Sequence, residues 1–344
     1  MIRSLFIMAC LVFLGSQRGY GQSAAMNQQD FFNDTSVLHA TLLTNLDDIL
    51  SKQRQKGRKL PGKFIITRPD GATEEDPVTL EVSGVFRLEF CFIPPMNLKF
   101  NSQPGSMIYP LNKAKLVNTC KTAGGYDQYL LKEYLIYKIY NLLTDKSCRV
   151  RLVELTFQDS LGKRKKITEF GFLLEDIKDV ATRNNCKVWK KEKTPTEATD
   201  HHQMTLLSVF EYMIGNTDWA VPALHNVKLM VPKGDTLAKP FPVPHDFDYS
   251  GLVNAYYAVP DEQLKFANVK QRQYLGFPRT TAEMEEILTI YREQKPHIYD
   301  LINQFHWLNS KNKEEMIGYL NEFFDMIGHP GQVKFNLIEN AMPQ

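Results

Sequence analysis

A strand and a long helix follow one another in residues 113–143, KAKLVNTCKTAGGYDQYLLKEYLIYKIYNLL. Apolar and polar residues alternate in 113–117, which predicts a short strand. Gly124 and Gly125 then break the chain. From about residue 127 to residue 143 the apolar side chains recur at helical spacing and mark one broad buried face. This pair of elements predicts a sheet that carries a helix.

Further strands are predicted on both sides of this pair. Residues 63–67 form an apolar run followed by a Pro-Asp-Gly turn, and partial alternation over 78–92 indicates a hairpin. Residues 150–157 and 169–174 indicate two more strands. Before them, residues 37–49 have helix-like apolar spacing. The first half of the chain is therefore expected to form a small sheet that carries one main helix.

The second half is expected to be mainly helical. A helix is predicted over 202–214, ending at a glycine, and strands over 226–231 and 240–244 follow it. Residues 281–327 again show helical patterns. Strands early in the chain and helices late in it indicate an α+β protein, expected as two lobes with a boundary near 178–200.

The expected organisation has four parts. Residues 1–22 are a signal peptide, residues 23–58 a leader segment, residues 59–180 a small β-rich lobe and residues 181–344 a mainly helical lobe. The first part has a basic residue, Arg3, an apolar run of about ten residues and a polar segment, as secretory signals do. That run is too short to span a bilayer, which takes about 20 residues. We therefore expect a secreted or periplasmic protein with no membrane span after cleavage.

Composition excludes several classes of protein. The chain has 41 Lys and Arg against 39 Asp and Glu, and 43% of its residues are apolar, which is typical of a globular protein. A net charge of +2 over this length provides no nucleic-acid footprint. The sequence does not predict an oligomeric state.

Four cysteines follow the predicted signal peptide. Their spacing contains no CxxC pair, so a zinc site is not expected. In an oxidising compartment they could form up to two disulfides in any of three pairings, and free buried thiols are equally compatible with a core of this size. The four are Cys91, Cys120, Cys148 and Cys186.

Oxygen-bearing side chains are concentrated between residues 215 and 251. Asp218 follows the predicted helix, Asn226 begins a strand, and Asp246 and Asp248 follow the next strand. A hairpin formed by the two strands can bring these groups together. Oxygen ligands of this kind suit Mg²⁺ or Mn²⁺, with phosphates completing the coordination shell. A carboxylate beside such a metal can orient or deprotonate an attacking hydroxyl.

The first half supplies a matching pair of charges. Lys115 lies on the predicted strand and Glu133 on the helix that follows it. In kinases, a helix glutamate pairs with the strand lysine that grips the phosphates. Lysines on strands and glutamates on helices are common, so the pair alone indicates little. It supports a kinase-like site because it precedes the acidic segment in the order that kinases show.

The sequence resembles the spore-coat-protein-H (CotH) type of secreted atypical kinase over about residues 85–280. The resemblance lies in short motifs on both sides of the predicted boundary. These are Lys113 to Val117, Tyr129 to Tyr134, Val150 to Glu175, Asn216 to Trp219, His225-Asn226 and Pro244 to Asp248.

The resemblance implies a two-lobed, kinase-like fold and a phosphotransferase that uses ATP and Mg²⁺ or Mn²⁺ to phosphorylate a protein. Each candidate residue then has an implied role. Asp218 would be the catalytic residue. Asn226 and Asp246 would be the metal ligands, and Asp248 could replace or assist Asp246. Lys115 would be the nucleotide-binding lysine, and Glu133 its partner.

The sequence also departs from kinase patterns, and other functions stay open. It has no HRD, DFG or GxGxxG motif, and Asp218 and Asn226 are further apart than the matching residues of ordinary protein kinases. His245 stands where members of the family often have Trp. One alternative is a catalytically inactive kinase-fold binding protein. Another is a metal-dependent phosphoester hydrolase that uses Asp218, His225, His245, Asp246 and Asp248.

Overall fold

A computed structural model describes residues 28–51, 56–84, 86–109, 111–121, 125–260 and 264–343. The predicted signal peptide, the leader residues 23–27 and 52–55, and Gly124 of the predicted chain break lie outside these ranges. Among the described helices, none combines the length and the apolar character that crossing a bilayer requires.

Ten strands and nine α-helices occur in the described ranges. The strands are β1 (Leu38–Thr44), β2 (Lys59–Thr67), β3 (Thr73–Val82), β4 (Met96–Phe100), β5 (Lys113–Asn118), β6 (Val150–Asp159), β7 (Ile167–Glu175), β8 (Cys186–Trp189), β9 (Val227–Pro232) and β10 (Phe241–Pro244). The helices are α1 (Gln28–Asn33), α2 (Leu46–Leu50), α3 (Phe86–Phe90), α4 (Tyr126–Leu143), α5 (Ile177–Arg183), α6 (His201–Ile214), α7 (Thr281–Gln304), α8 (Ser310–Ile327) and α9 (Pro330–Val333), with a 3₁₀ turn at Thr196–Ala198 and a π-helical turn at Lys334–Glu339.

Seven strands close into a barrel in the order β1-β2-β3-β4-β5-β7-β6. All neighbouring strands are antiparallel except β1 and β6, whose parallel pairing, with Ala40 opposite Leu155, completes the barrel. Alternate side chains point inward, so Leu98, Ala114 and Leu116 are buried in the interior of the barrel. The intervening side chains of the same strands face outward.

The expected two-lobed, kinase-like fold with a small sheet and one main helix in the first lobe is wrong. The first half of the chain is instead a closed mixed barrel, because strand β1 joins the two edges of the sheet. Its residues lie in 37–49, where helix-like spacing was expected. Burial instead alternates through Leu38, Ala40 and Leu42, and β1 inserts between β2 and β6. A short apolar run fits both periods, and tertiary pairing decided between them.

Most other elements lie where the sequence predicts them, with ends shifted by a few residues. The exception is the hairpin expected over 78–92, because β3 ends at Val82 and the short helix α3 follows. The confirmed elements are the strands β2, β5, β6, β7, β9 and β10 and the helices α4, α6, α7 and α8.

Helix α4 packs against the outer face of the barrel and is buried over most of its surface. The Tyr137 ring packs against Phe172 of β7 in a tilted arrangement and against Phe247, with the Tyr137 and Phe247 ring centroids 4.7 Å apart. The same core contains side chains of α6, α7 and α8. Even Lys132 and Glu133 are buried in α4. The barrel and the helices are therefore joined by one continuous hydrophobic core.

A small antiparallel sheet, in the order β10-β9-β8, follows the barrel. Its β9–β10 hairpin pairs Val227 with Pro244, so the residues just outside this pair, Asn226 and His245, are neighbours. The His245 amide donates to the Asn226 carbonyl at 2.9 Å. The hairpin therefore brings the segment after β10 next to the segment before β9.

One disulfide forms among the described cysteines. Cys91 and Cys120 are bonded, whereas Cys148 and Cys186 are free and buried. The sequence left open three pairings and also free buried thiols, and the described residues contain one disulfide and two free buried thiols. The bond ties the chain just after α3 to the chain just after β5, so it fixes α3 beside the end of β5.

Replacing Gly215, which ends α6, by alanine is expected to destabilise the protein more than replacing Gly234. Both glycines have left-handed φ values, +67° and +81°, so an alanine at either costs about 1–2 kcal/mol in backbone strain. At Gly215 a Cβ would also lie 2.0 Å from Tyr319 Oη, whereas nothing lies within 4 Å at Gly234. The Tyr319 hydroxyl donates to the Lys270 carbonyl at 2.9 Å, which keeps it in this position. We therefore expect Gly215→Ala to lower the free energy of unfolding by roughly 1–3 kcal/mol more than Gly234→Ala does.

Chemical denaturation of the two variants measures the difference. Equal losses of unfolding free energy would contradict the close packing of Tyr319 against the end of α6.

Candidate functional site

The candidate residues meet where the outer face of the barrel contacts α4 and the β9–β10 hairpin. Lys115 projects outward from β5, since its neighbours Ala114 and Leu116 point into the barrel. Its Nζ lies 3.5 Å from Asp246 Oδ2, and the two side chains are 28% and 30% exposed. A lysine of the first half and an aspartate of the second half are therefore in direct contact.

Asp218 and Asn226 lie on the same side of the hairpin. Asn226 Nδ2 donates to Asp218 Oδ2 at 3.0 Å and to the Asp218 carbonyl at 2.7 Å. Because the Asn226 carbonyl accepts from the His245 amide, Asp218, Asn226 and Asp246 are joined through successive contacts. The amide nitrogen of Asn226 is thus committed to Asp218, which leaves its oxygen as the atom a metal could bind.

Asn226 and Asp246 both adopt left-handed backbone conformations, with φ values of 51° and 68°. Such conformations cost about 1–3 kcal/mol in residues other than glycine and are concentrated at functional sites. Asn and Asp tolerate them better than other residues. The backbone of Asp246 is fixed further by its amide, which donates to Tyr137 Oη at 2.8 Å. Seven non-glycine residues of the described ranges have positive φ values, and two of them are the implied metal ligands.

Glu133 lies behind this pair but takes a different partner from the one the sequence predicts. Its ion pair in the structure is with Arg87, whose Nη1 lies 3.8 Å from Glu133 Oε2. The same Nη1 is 4.0 Å from Asp248 Oδ2. Arg87 Nη2 also donates to the Asn118 carbonyl at 2.7 Å. A guanidinium from α3 therefore bridges two buried carboxylates, and Lys115 contacts Asp246 instead of Glu133.

Sequence reasoning missed Arg87 as part of the site. It lies in the segment where a hairpin was expected, and an arginine in a hairpin is usually a surface residue. The feature that places it is the Cys91–Cys120 bond, which holds α3 against the end of β5. That pairing is one of three that the sequence allows, so no pattern pointed to Arg87.

The three carboxylates differ strongly in their proton affinity. Burial alone would raise the pKa of Asp246, but the positive charges of Lys115 and Arg87 outweigh it and lower the pKa to about 2. Burial, with the nearby charge of Asp246, raises the pKa of Asp248 to about 6. Burial also raises the pKa of Glu133 well above its usual value, and Asp248 adds to the rise. Asp246 is therefore ionised well below neutral pH, whereas Asp248 loses its proton only near pH 6.

The donor set fits a hard divalent cation that a substrate helps to hold. The described residues contain no group of three or more His, Cys, Asp or Glu side chains that could hold a metal ion. They do place an ionised carboxylate, Asp246, and an available amide oxygen, Asn226, at the open end of the β9–β10 hairpin, with Asp248 two residues further on. Mg²⁺ binds through one or two protein oxygens and completes its shell with phosphates and water.

Two histidines adjoin the site. His225 Nε2 lies 2.7 Å from Asp218 Oδ1, and both side chains are exposed. Burial lowers the pKa of His245 to about 3, so this imidazole is neutral. Its Nε2 is buried and has no hydrogen-bond partner among the described residues.

Asp218 is supported from inside the protein. Glu211 of α6 accepts from Asn216 Nδ2 at 2.9 Å, and Asn216 Oδ1 accepts from the Asp218 amide at 3.1 Å. Burial raises the pKa of Glu211 to about 8, with the negative charge of Asp218 adding to the rise and the Asn216 hydrogen bond opposing it. The loop that carries Asp218 is therefore tied to the buried end of α6.

A cavity of about 790 Å³ opens beside this group of residues. Lys115 and His245 lie on its border, so it adjoins the contact between Lys115 and Asp246. The volume is sufficient for a nucleotide or another small molecule. The site therefore combines an acidic cluster with an adjoining space for a ligand.

Comparison with known proteins adds no assignment. No protein-family model matches the chain. A search of curated proteins finds no match either. The similarity to CotH-type kinases stays a prediction.

Raising the pH is expected to destabilise the wild-type protein through Glu211, and Glu211→Gln should reduce that loss. The folded pKa of about 8 lies above the usual value of 4.5, so the folded state binds more protons between these values. The contribution of Glu211 to the free energy of unfolding is largest at low pH. It falls by on the order of a few kcal/mol as the pH rises from about 5 to about 9. Denaturation curves across this range measure it. A wild type and variant with parallel pH profiles would contradict a buried, protonated Glu211.

Replacing Arg87 by methionine is expected to lower stability by roughly 2–4 kcal/mol, because two buried carboxylates lose their shared cation. The loss should be larger at about pH 8 than at about pH 5, since Asp248, whose pKa is about 6, can bind a proton only at the lower pH. Arg87→Lys keeps the charge but cannot span both acids, so it should lose less. Thermal melts at the two pH values measure the effect. A loss independent of pH would indicate that Arg87 contributes by packing alone.

Proposed function

We propose that this protein is a metal-dependent phosphotransferase that moves the γ-phosphate of ATP to a hydroxyl group of a protein. The observation that supports this most is the contact between Lys115 and Asp246 at the border of the cavity, with Asp218 and Asn226 adjoining it. A cation for phosphate, oxygen ligands for a metal and an accessible carboxylate are the parts that phosphoryl transfer needs. The proposal concerns the site, because a fold does not determine function.

Lys115 and the strained pair Asn226 and Asp246 would bind the donor. The Lys115 ammonium would contact phosphate oxygens, and its present partner Asp246 keeps it directed at the site. Asn226 Oδ1 and Asp246 would hold the divalent cation, assisted by Asp248. That cation, when bound, neutralises charge on the phosphates. Arg87 and Glu133 are buried behind these groups and hold Asp248 in place.

Asp218 is the candidate general base. Its side chain is 42% exposed, so a protein hydroxyl can reach it, and it is oriented by Asn226 Nδ2 and His225. The acceptor oxygen would form a bond to the γ-phosphorus while the bond from that phosphorus to the β,γ-bridging oxygen breaks. The hydroxyl proton passes to Asp218, and ADP leaves.

We further propose that the protein acts outside the cytoplasm. The basic start and apolar run of the first 22 residues support export. The Cys91–Cys120 disulfide supports the same conclusion, because such bonds persist mainly in oxidising compartments.

Phosphoester hydrolysis is a second candidate, favoured by the contact between Asp218 and His225. A carboxylate 2.7 Å from an imidazole nitrogen can orient that imidazole to take a proton from water. In this case water would replace the protein hydroxyl as acceptor. Both side chains are exposed enough for either acceptor to approach.

Incubation of the mature protein with γ-labelled ATP and Mg²⁺ or Mn²⁺ tests the proposal. We expect label on the protein or on an added protein substrate. Asp218→Asn should lower the transfer rate by about 100-fold or more, since general-base catalysis contributes roughly 10²–10⁴-fold. Asp246→Asn should weaken the response to metal as well as the rate.

Asp145→Asn is the matched control, because Asp145 is exposed and lies outside the site. Equal labelling of the wild type and both site variants would overturn the residue assignments. Release of free phosphate without labelled protein would favour hydrolysis. Binding of Mg·ATP with neither product would indicate a protein that binds the nucleotide without turnover.

A further inference from the structure

The wall of the cavity is built from outward-facing residues of four adjacent barrel strands. One cross-strand row runs through Glu81, Asn97 and Lys115, which are paired in register on β3, β4 and β5. The next row contains Thr79, Lys99 and Lys113 on the same strands. Because side chains two residues apart lie on the same face, both rows face the cavity.

Lys99 and Lys113 lie directly opposite each other across β4 and β5. Like charges in this position destabilise a sheet. Among the described residues, neither lysine has an ion-pair partner, and both are exposed. The barrel therefore carries an unfavourable pair of charges on the wall of a cavity that also contains Lys115.

The opposite side of the cavity does not neutralise these charges. Lys228 lies there, and the acidic residues present are already engaged. Glu175 is buried and paired with Arg183 at 3.0 Å, and the Asp176 side chain caps α5 by accepting from the Lys178 amide at 2.8 Å. The whole lining contains five lysines (Lys59, Lys99, Lys113, Lys115 and Lys228) against three acidic residues (Glu81, Glu175 and Asp176), so the cavity is basic, although the cluster at its border is acidic.

The lining provides no aromatic surface on which a base could stack. Within the described part of the chain, no Phe, Tyr or Trp lines the cavity, and its apolar side chains are the small or aliphatic ones of Leu98, Ala114, Cys148, Leu174 and Ile177. Nucleobases are usually held by stacking and by a few fixed polar contacts in an apolar slot. Flexible ammonium groups instead bind phosphate as point charges.

We propose that Lys99 and Lys113, with Lys228, form a binding site for the phosphate chain of the donor, and that the donor is recognised by this chain and not by its base. This inference rests on the proposed function, because Lys115 links the cavity to the transfer site. It predicts that ATP, GTP and inorganic tripolyphosphate bind with similar affinity, and that adenosine does not bind measurably.

Calorimetric titration of the mature protein with each of these compounds, in the presence of Mg²⁺, tests the inference. Lys99→Glu and Lys113→Glu should each weaken binding of ATP and of tripolyphosphate about tenfold or more, which corresponds to about 1.4 kcal/mol. Lys166→Glu is the matched control, since this exposed lysine does not line the cavity and should bind both compounds as the wild type does. Lys99→Gln and Lys113→Gln check that a smaller change of charge gives a smaller effect.

The titration is independent of turnover, so its failure differs from failure of the proposed function. Tripolyphosphate binding that the two substitutions abolish would support the inference even if no transfer occurred. Adenosine binding as tight as that of ATP, or variants that bind both phosphate compounds normally, would overturn it. Variants that bind ATP normally but lose transfer to an acidic protein substrate would overturn it in favour of acceptor recognition.

Discussion

Lys115 of the barrel and Arg87 of α3 meet three carboxylates, and the rest of the site depends on this contact. Lys115 faces Asp246, and Arg87 lies between Glu133 and Asp248. Buried charges without partners cost several kcal/mol each. The barrel and the helices are therefore held in one relative position not only by their shared core but also by charge balance. Any substitution that removes one member changes the proton affinity of the others.

The site is also held under backbone strain. Asn226 precedes β9 and Asp246 follows β10, so both lie at the open end of the hairpin, and both adopt left-handed conformations. Three sets of contacts hold them in these conformations. The β9–β10 register fixes their separation, Tyr137 of α4 accepts from the Asp246 amide, and Asp218 accepts from the Asn226 side chain. Strain of this kind persists where surrounding contacts outweigh it. It keeps the backbones of Asn226 and Asp246 in fixed positions at the open end of the hairpin before any ligand arrives, which lowers the entropy cost of binding.

The sequence predicts the elements of the site better than the architecture that joins them. Strand β5, helix α4 and the β9–β10 hairpin have long or regular patterns, so the positions of Lys115, Glu133, Asn226 and Asp246 on their elements follow from periodicity. Strand β1 could not be predicted in this way, because the apolar residues of its seven positions fit a helical spacing equally well. Without β1 the sheet is open, so the sequence does not predict the closed barrel. The partner of Glu133 could not be predicted either, since it depends on which cysteines pair. Local patterns identify elements, whereas closure and long-range ion pairs depend on contacts between distant residues.

Opposite charges on neighbouring surfaces set the direction in which a ligand can bind. The cluster around Asp246 is acidic and the cavity wall around Lys99 and Lys113 is basic, and Lys115 belongs to both. A ligand with negative charge along its length would be repelled by the cluster and attracted by the wall, so its phosphates would extend from Lys115 into the cavity. A divalent cation would be attracted to the cluster for the opposite reason. Because the two ligands meet at Lys115, each would lower the electrostatic cost of binding the other, which is positive coupling between cation and phosphate. Asp218 is 42% exposed, so on the proposed function an acceptor would reach it from solvent.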